Sequence, residues 1–110
     1  MDAVCEFALS HEQTDNEITI SVCGVLDFAT IPSLINAVES VAKDNLSVFS
    51  IDCERVTFID SETVKQFLLL QNQLTNTGKS LYLCNCSRQV TRVLCLLGLS
   101  NKFERAKANV

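Results

Sequence analysis

Residues 47–85 read SVFSIDCERVTFIDSETVKQFLLLQNQLTNTGKSLYLCN, and this stretch decides the fold. Ser47 to Cys53 carries Val48, Phe49 and Ile51, which make it apolar on both faces, as a central strand needs. A charged loop, Glu54-Arg55, leads through Val56-Thr57-Phe58-Ile59 to Asp60. From Ser61 to Asn76 the apolar spacing becomes helical. Val64, Phe67, Leu68 and Leu74 mark the buried side, and Leu69 and Leu70 widen it. Thr77-Gly78 stops this helix, with Gly78 suited to a left-handed cap. Ser80 to Asn85 returns to a strand, with Leu81, Leu83 and Cys84 as inward candidates. Strand, helix, strand is the unit of a parallel sheet.

The same alternation continues on both sides. Upstream, Val4 to Leu9 reads as a first strand, and the polar run Ser10 to Glu17 as a turn with its corner at Asp15-Asn16. Ile18 to Val22 alternates as a half-buried strand, followed by the loop Gly24-Val25-Leu26-Asp27. Ile31, Leu34, Ile35, Val38, Val41 and Ala42 form one stripe of a helix from about Ile31 to Lys43. Thr30 is placed to cap its start, Pro32 fits its first turn, and Asp44-Asn45 ends it. Downstream, Ser87 caps a third helix with Val90, Val93, Leu94 and Leu97 on one face, and Gly98 closes it. Asn85 holds the preceding turn, and Phe103 docks a last short strand or tail. The expected class is α/β, an open mixed β-sheet. Its first strand is antiparallel, the rest are mainly parallel, and crossover helices join them. With 110 residues, one domain spanning 1–110 is expected.

Composition narrows the function. The formal charge is −4, and the nine Lys and Arg do not cluster, so nucleic acid is not an expected partner. Met1-Asp2-Ala3 has no basic start, and no apolar run of about 20 residues follows, so neither a leader nor membrane insertion is expected. The expected location is cytoplasmic, and the six cysteines are read as reduced, buried thiols. No C-x-x-C occurs and His11 is the single histidine, so no metal site and no cofactor are expected. Hydrolase and phosphate-loop motifs are absent, and Asp52 with Glu54 has no visible catalytic partner, so an enzyme is not expected.

Three stretches together resemble the STAS family. Gly24-Val25-Leu26-Asp27 is similar to its G-x-L-D turn, and Val56 to Ser61 to the hydrophobic approach to its D-S-S-G loop. Leu81 to Leu99 is similar to its strand, N-x-S cap, helix and L-x-G-L close. The resemblance spans about residues 17–104 and implies the same fold. It also implies a regulatory partner-binding module like the bacterial anti-sigma factor antagonists. Those dock on an anti-sigma factor that is a serine kinase of the histidine-kinase-like ATPase type, and phosphorylation of a loop serine ends the docking. The alternative role it implies is a subunit bound to the cytoplasmic ATPase of a lipid-transport ABC complex. A structural homodimer is a third reading.

The resemblance places partner contacts at Asp27, Asp60, Ser61, Glu62, Thr63 and Lys65, with Gln66 bordering the face. An exposed helix start is a physically reasonable switch, because unpaired N–H groups and the helix dipole concentrate there. At the acceptor position this chain carries Glu62, and at the following glycine Thr63. Three readings stay open. Glu62 is a first-turn acid favoured by the dipole; or it imitates part of a phosphate's charge; or the phosphorylated residue has moved to Ser61 or Thr63. Ser61 is also the natural N-cap of its helix, Thr63 reads as an exposed hydroxyl, and Asp27 as a turn former. Arg88 and Arg92, one turn apart, read as a solvated face.

Overall fold

The computed structural model describes residues 6–41 and 46–103. Four strands form one sheet in the order β1 (Ala8–Gln13), β2 (Glu17–Leu26), β3 (Val48–Ile59), β4 (Ser80–Cys84). β1 pairs antiparallel with β2, and β2–β3 and β3–β4 are parallel. The mixed α/β sheet expected from the sequence is the one found. The crossovers are α1 (Ile31–Val41) and α2 (Ser61–Asn76), and α3 (Arg88–Leu97) and the short α4 (Ser100–Phe103) follow β4. Both crossovers step one strand in the same direction, so the right-handed rule puts α1 and α2 on one face of the sheet.

Register builds the core under those helices. Ile18 pairs with Phe49 and Phe49 with Leu81; the next row on that face is Ile20, Ile51 and Leu83. All six are buried. Leu34 and Val38 of α1, Val64, Phe67, Leu70 and Leu74 of α2, and Val90 and Leu94 of α3 complete the core. Phe103 is fully buried and meets the Phe67 ring edge-on, with centroids 6.3 Å apart. Gln71 of α2 donates to the Leu81 and Lys102 carbonyls at 3.0 Å, tying α4 to α2 and β4.

Several boundaries differ from the expectation. Ser10 to Gln13, read as turn, belongs to β1. This strand lies at the sheet edge and is mostly exposed, so backbone pairing holds it without apolar alternation. Val4 lies outside the described residues, as do Ala42, Lys43, Asp44 and Asn45, on which the expected end of the helix falls. Gly24 to Leu26, read as loop, continues β2, and Glu54-Arg55 lies inside β3. β3 carries extra residues where Ser21↔Asp52 gives way to Cys23↔Arg55, and Gly24↔Val56 to Val25↔Phe58. These bulges disguise one 12-residue strand as strand, loop and strand. Leu69 and Leu97 are exposed, and Phe103 anchors a helix rather than a strand or tail. Ser87 does cap α3, accepting from Val90 N at 3.4 Å, and Gly98 closes it at φ 72°.

Cys53, Cys84, Cys86 and Cys95 are free thiols, but of these only Cys53 is buried and Cys95 is exposed, and Cys23 is disulfide-bonded, which corrects the expectation of reduced, buried thiols. Cys23 faces Ala8 at the end of the β1–β2 ladder. Among the described residues no helix is long and apolar enough to cross a membrane.

Candidate functional site

Two strand ends and two helix starts meet at one corner of the molecule. β2 ends at Leu26, and Asp27 folds the following turn. Its Oδ1 accepts from the backbone N–H of Ala29 at 3.0 Å and of Thr30 at 3.2 Å. Its carbonyl accepts from Ile31 N at 2.9 Å, which opens α1. Thr30 does not cap α1 with its side chain, as the sequence suggested. Its hydroxyl donates instead to the Val25 carbonyl at 2.7 Å, and its Oγ1 accepts from the Asp27 N–H at 3.0 Å. The turn is closed by its own side chains, and Phe28 is left projecting from it, 81% exposed.

β3 ends beside it at Ile59, and α2 begins. The N-cap is Asp60, not Ser61: Asp60 Oδ1 accepts from Thr63 N at 2.9 Å, from an extended backbone. Asp and Ser are nearly equal as caps, so one residue of helix phase decides between them. That shift makes Ser61 the first helical residue, with an exposed side chain. It also turns Thr63 inward. Thr63 is 1% exposed, and its hydroxyl donates to the Leu26 carbonyl at 3.2 Å, which corrects the expectation of an exposed hydroxyl. This bond ties the start of α2 to the end of β2.

Glu62 points outward in the first turn, where the dipole favours an acid. Lys65 approaches it at 3.9 Å, with both side chains largely in water. Such a pair contributes about 0–1 kcal/mol and leaves both charges available. Between α1 and α2 lies a groove of about 370 Å³. Phe28, Ile31, Pro32 and Ile35 line one wall, Glu62, Thr63 and Gln66 the other. Leu69, 58% exposed, continues the Glu62–Gln66 stripe one turn further along α2.

The corner therefore gathers Asp60, Ser61, Glu62, Thr63 and Lys65 on α2, with the Asp27 turn beside them. Phe28 was missed by sequence reasoning, although a large apolar residue directly after the turn aspartate was the available signal. Asp52, on β3, has its carboxylate occupied structurally. Asp52 accepts from Glu54 N at 3.0 Å and from Asn85 Nδ2 at 3.1 Å.

The fold is shared with proteins of known structure. The anti-sigma factor antagonist SpoIIAA in its unphosphorylated form superposes with a TM-score of 0.75 at 22% identity, over 92% of this chain and 90% of that one. An anti-sigma factor antagonist from Mycobacterium paratuberculosis gives 0.76 at 24% identity, over 89% and 83%. A STAS-domain containing protein of Pseudomonas aeruginosa (strain UCBPP-PA14) is 27% identical over 88 residues, 80% of this chain and 86% of the relative. The STAS domain model matches residues 8–110, nearly the whole length, and with the sheet order and the α2 corner in place the chain belongs to the STAS domain family.

Proposed function

We propose that this chain is a non-enzymatic regulatory module that docks on a partner protein through the α1/α2 corner. The observation that carries this reading is Phe28, a projecting aromatic beside an apolar groove, with the exposed Glu62 on the opposite wall and the exposed Ser61 next to it in sequence. Aromatic anchors next to pockets are what protein interfaces use as hot spots. The fold shared with anti-sigma factor antagonists supports an anti-sigma factor of the serine-kinase, histidine-kinase-like ATPase type as that partner.

Glu62 alters how such a complex is controlled. A carboxylate accepts no phosphate, and Thr63 is buried with its hydroxyl engaged. Of the hydroxyls considered as acceptors, Ser61 is the exposed one. These two facts favour a second reading as well, a constitutive subunit on the cytoplasmic ATPase of a lipid-transport ABC complex, which needs no phosphate switch.

The test isolates the partner by co-purification from the native cell, identifies it by mass spectrometry, and repeats binding with purified components and ATP. On the kinase reading, Glu62→Ser becomes phosphorylated at residue 62 and dissociates, while the unaltered chain stays bound unless Ser61 takes phosphate. A transporter ATPase that holds both forms equally with ATP present rejects the kinase reading and supports the second.

A further inference from the structure

We infer that Cys53 and Cys86 form an oxidisable dithiol, a modification site at which a hydroperoxide joins β3 to the start of α3 through a disulfide. The two residues are far apart in sequence, and the fold brings them together by a left-handed turn at Asn85 and two hydrogen bonds of Ser87. Asn85 adopts a left-handed conformation at φ 51° and turns the chain out of β4. Ser87 then fastens the returning segment, its N–H donating to the Cys53 carbonyl at 3.3 Å and its hydroxyl to the Val56 carbonyl at 2.8 Å. With residue 87 held to the Cys53 and Val56 carbonyls of β3, Cys86 is brought beside Cys53, whose sulfur donates to the Ile51 carbonyl at 3.7 Å and has its thiol pKa raised by Cys86.

Exposure assigns the order of events. Cys53 is fully buried and Cys86 is half-buried. A peroxide from solvent therefore meets Cys86 first. The Cys86 thiolate attacks one peroxide oxygen; the O–O bond breaks, an S–O bond forms, and hydroxide leaves. Sulfur has lost two electrons and stands as a sulfenic acid. The Cys53 sulfur then attacks the Cys86 sulfur, the S–O bond breaks, and the departing hydroxide takes the Cys53 proton as water. In sum, two thiols and one hydrogen peroxide give one disulfide and two waters. The hydrogen bond with Cys86 and then burial hold the Cys53 thiol pKa up, which slows the second step and protects Cys53 from oxidation on its own. Neither cysteine lines the α1/α2 groove, so the inference stands apart from the docking reading.

The test uses the full chain, hydrogen peroxide at neutral pH, alkylation of remaining thiols and tryptic mapping. Cleavage after Lys43, Arg55, Lys79 and Arg88 leaves Cys53 in fragment 44–55, and Cys84 with Cys86 in fragment 80–88. The expected major oxidised product is 44–55 linked to 80–88 with Cys84 alkylated, released by dithiothreitol. Cys84→Ser keeps the link and Cys86→Ser loses it. Alkylated Cys53 beside a Cys86 carried on to sulfinic acid, or a link running through Cys84, would overturn the assignment. Mapping of the unaltered chain and of Cys84→Ser decides the matter even where Cys86→Ser folds poorly.

Discussion

Replacing Phe28 by Ala removes an exposed aromatic side chain from the α1/α2 corner, and it separates binding from folding. Complete burial of a Phe side chain contributes about 1.5–3 kcal/mol. Phe28 is 81% exposed, so docking still has most of that surface to bury, roughly 1.2–2.4 kcal/mol. At tenfold per 1.4 kcal/mol, the Kd for the partner weakens ~7- to 50-fold. The folded chain gains little from the ring, so unfolding free energy changes by no more than ~0.5 kcal/mol. Isothermal titration of the purified partner gives the first quantity and urea denaturation the second. Leu96→Ala on α3 is the control, because Leu96 is 79% exposed and lies outside the groove. A Kd for Phe28→Ala within about threefold of the unaltered chain, or an equal loss in Leu96→Ala, refutes the reasoning.

Two further outcomes concern stability. Asp60→Ala deletes the cap of α2, costs about 1 kcal/mol and lowers the melting temperature by ~4–8 °C, while Ser61→Ala changes it far less; equal effects in a calorimetric scan would return the cap to Ser61. Cys53 has its thiol pKa raised, first by the hydrogen bond its protonated form makes with Cys86 and then by burial. The folded thiol thus keeps its proton to higher pH than the unfolded one, and its contribution is full below the ordinary thiol pKa. It declines as pH rises through the folded value's range, by at most ~1.4 kcal/mol per pH unit above about pH 9. Cys53→Ala flattens that alkaline slope in denaturation curves taken across the window; an unchanged slope shows that Cys53 titrates alike in both states.

The fold was legible wherever burial on one side imposes a period. Ile18, Ile20 and Val22 alternate because helices cover that face of β2, and α2 is bounded as the sequence indicated because Asp60 and Gly78 punctuate it. Legibility failed where backbone alone sets the conformation. β1 is an exposed edge whose polar residues pair only through main chain, and the bulges in β3 place Glu54 and Arg55 in a strand without an alternating pattern. At the corner, the stretch Asp60–Thr63 could be located from sequence but not oriented. A shift of one residue in helix phase exchanges the roles of Asp60 and Ser61 and buries Thr63, and one-dimensional spacing does not resolve that shift. Phe28 escaped notice because a single aromatic in a turn has no period at all.

The bonds that hold this corner explain why it suits docking better than a loop of the same residues would. Binding to a mobile segment loses free energy to the ordering of backbone and side chains. Here the Asp27 turn is closed by the Ala29 and Thr30 N–H groups, and α2 begins on the Asp60 cap. The Thr63 hydroxyl fastens the second of these to the end of β2. Three short polar side chains, all turned toward the protein, thereby fix Phe28, Ser61 and Glu62, all turned away from it. The same arrangement constrains any switch. Modification of Thr63 would break the bond to Leu26 and loosen the corner, whereas charge added at Ser61 would change the face and leave its scaffold standing. On the proposed docking reading, a switch that keeps the fold intact acts at the exposed first turn, one residue of which, Glu62, is an acid.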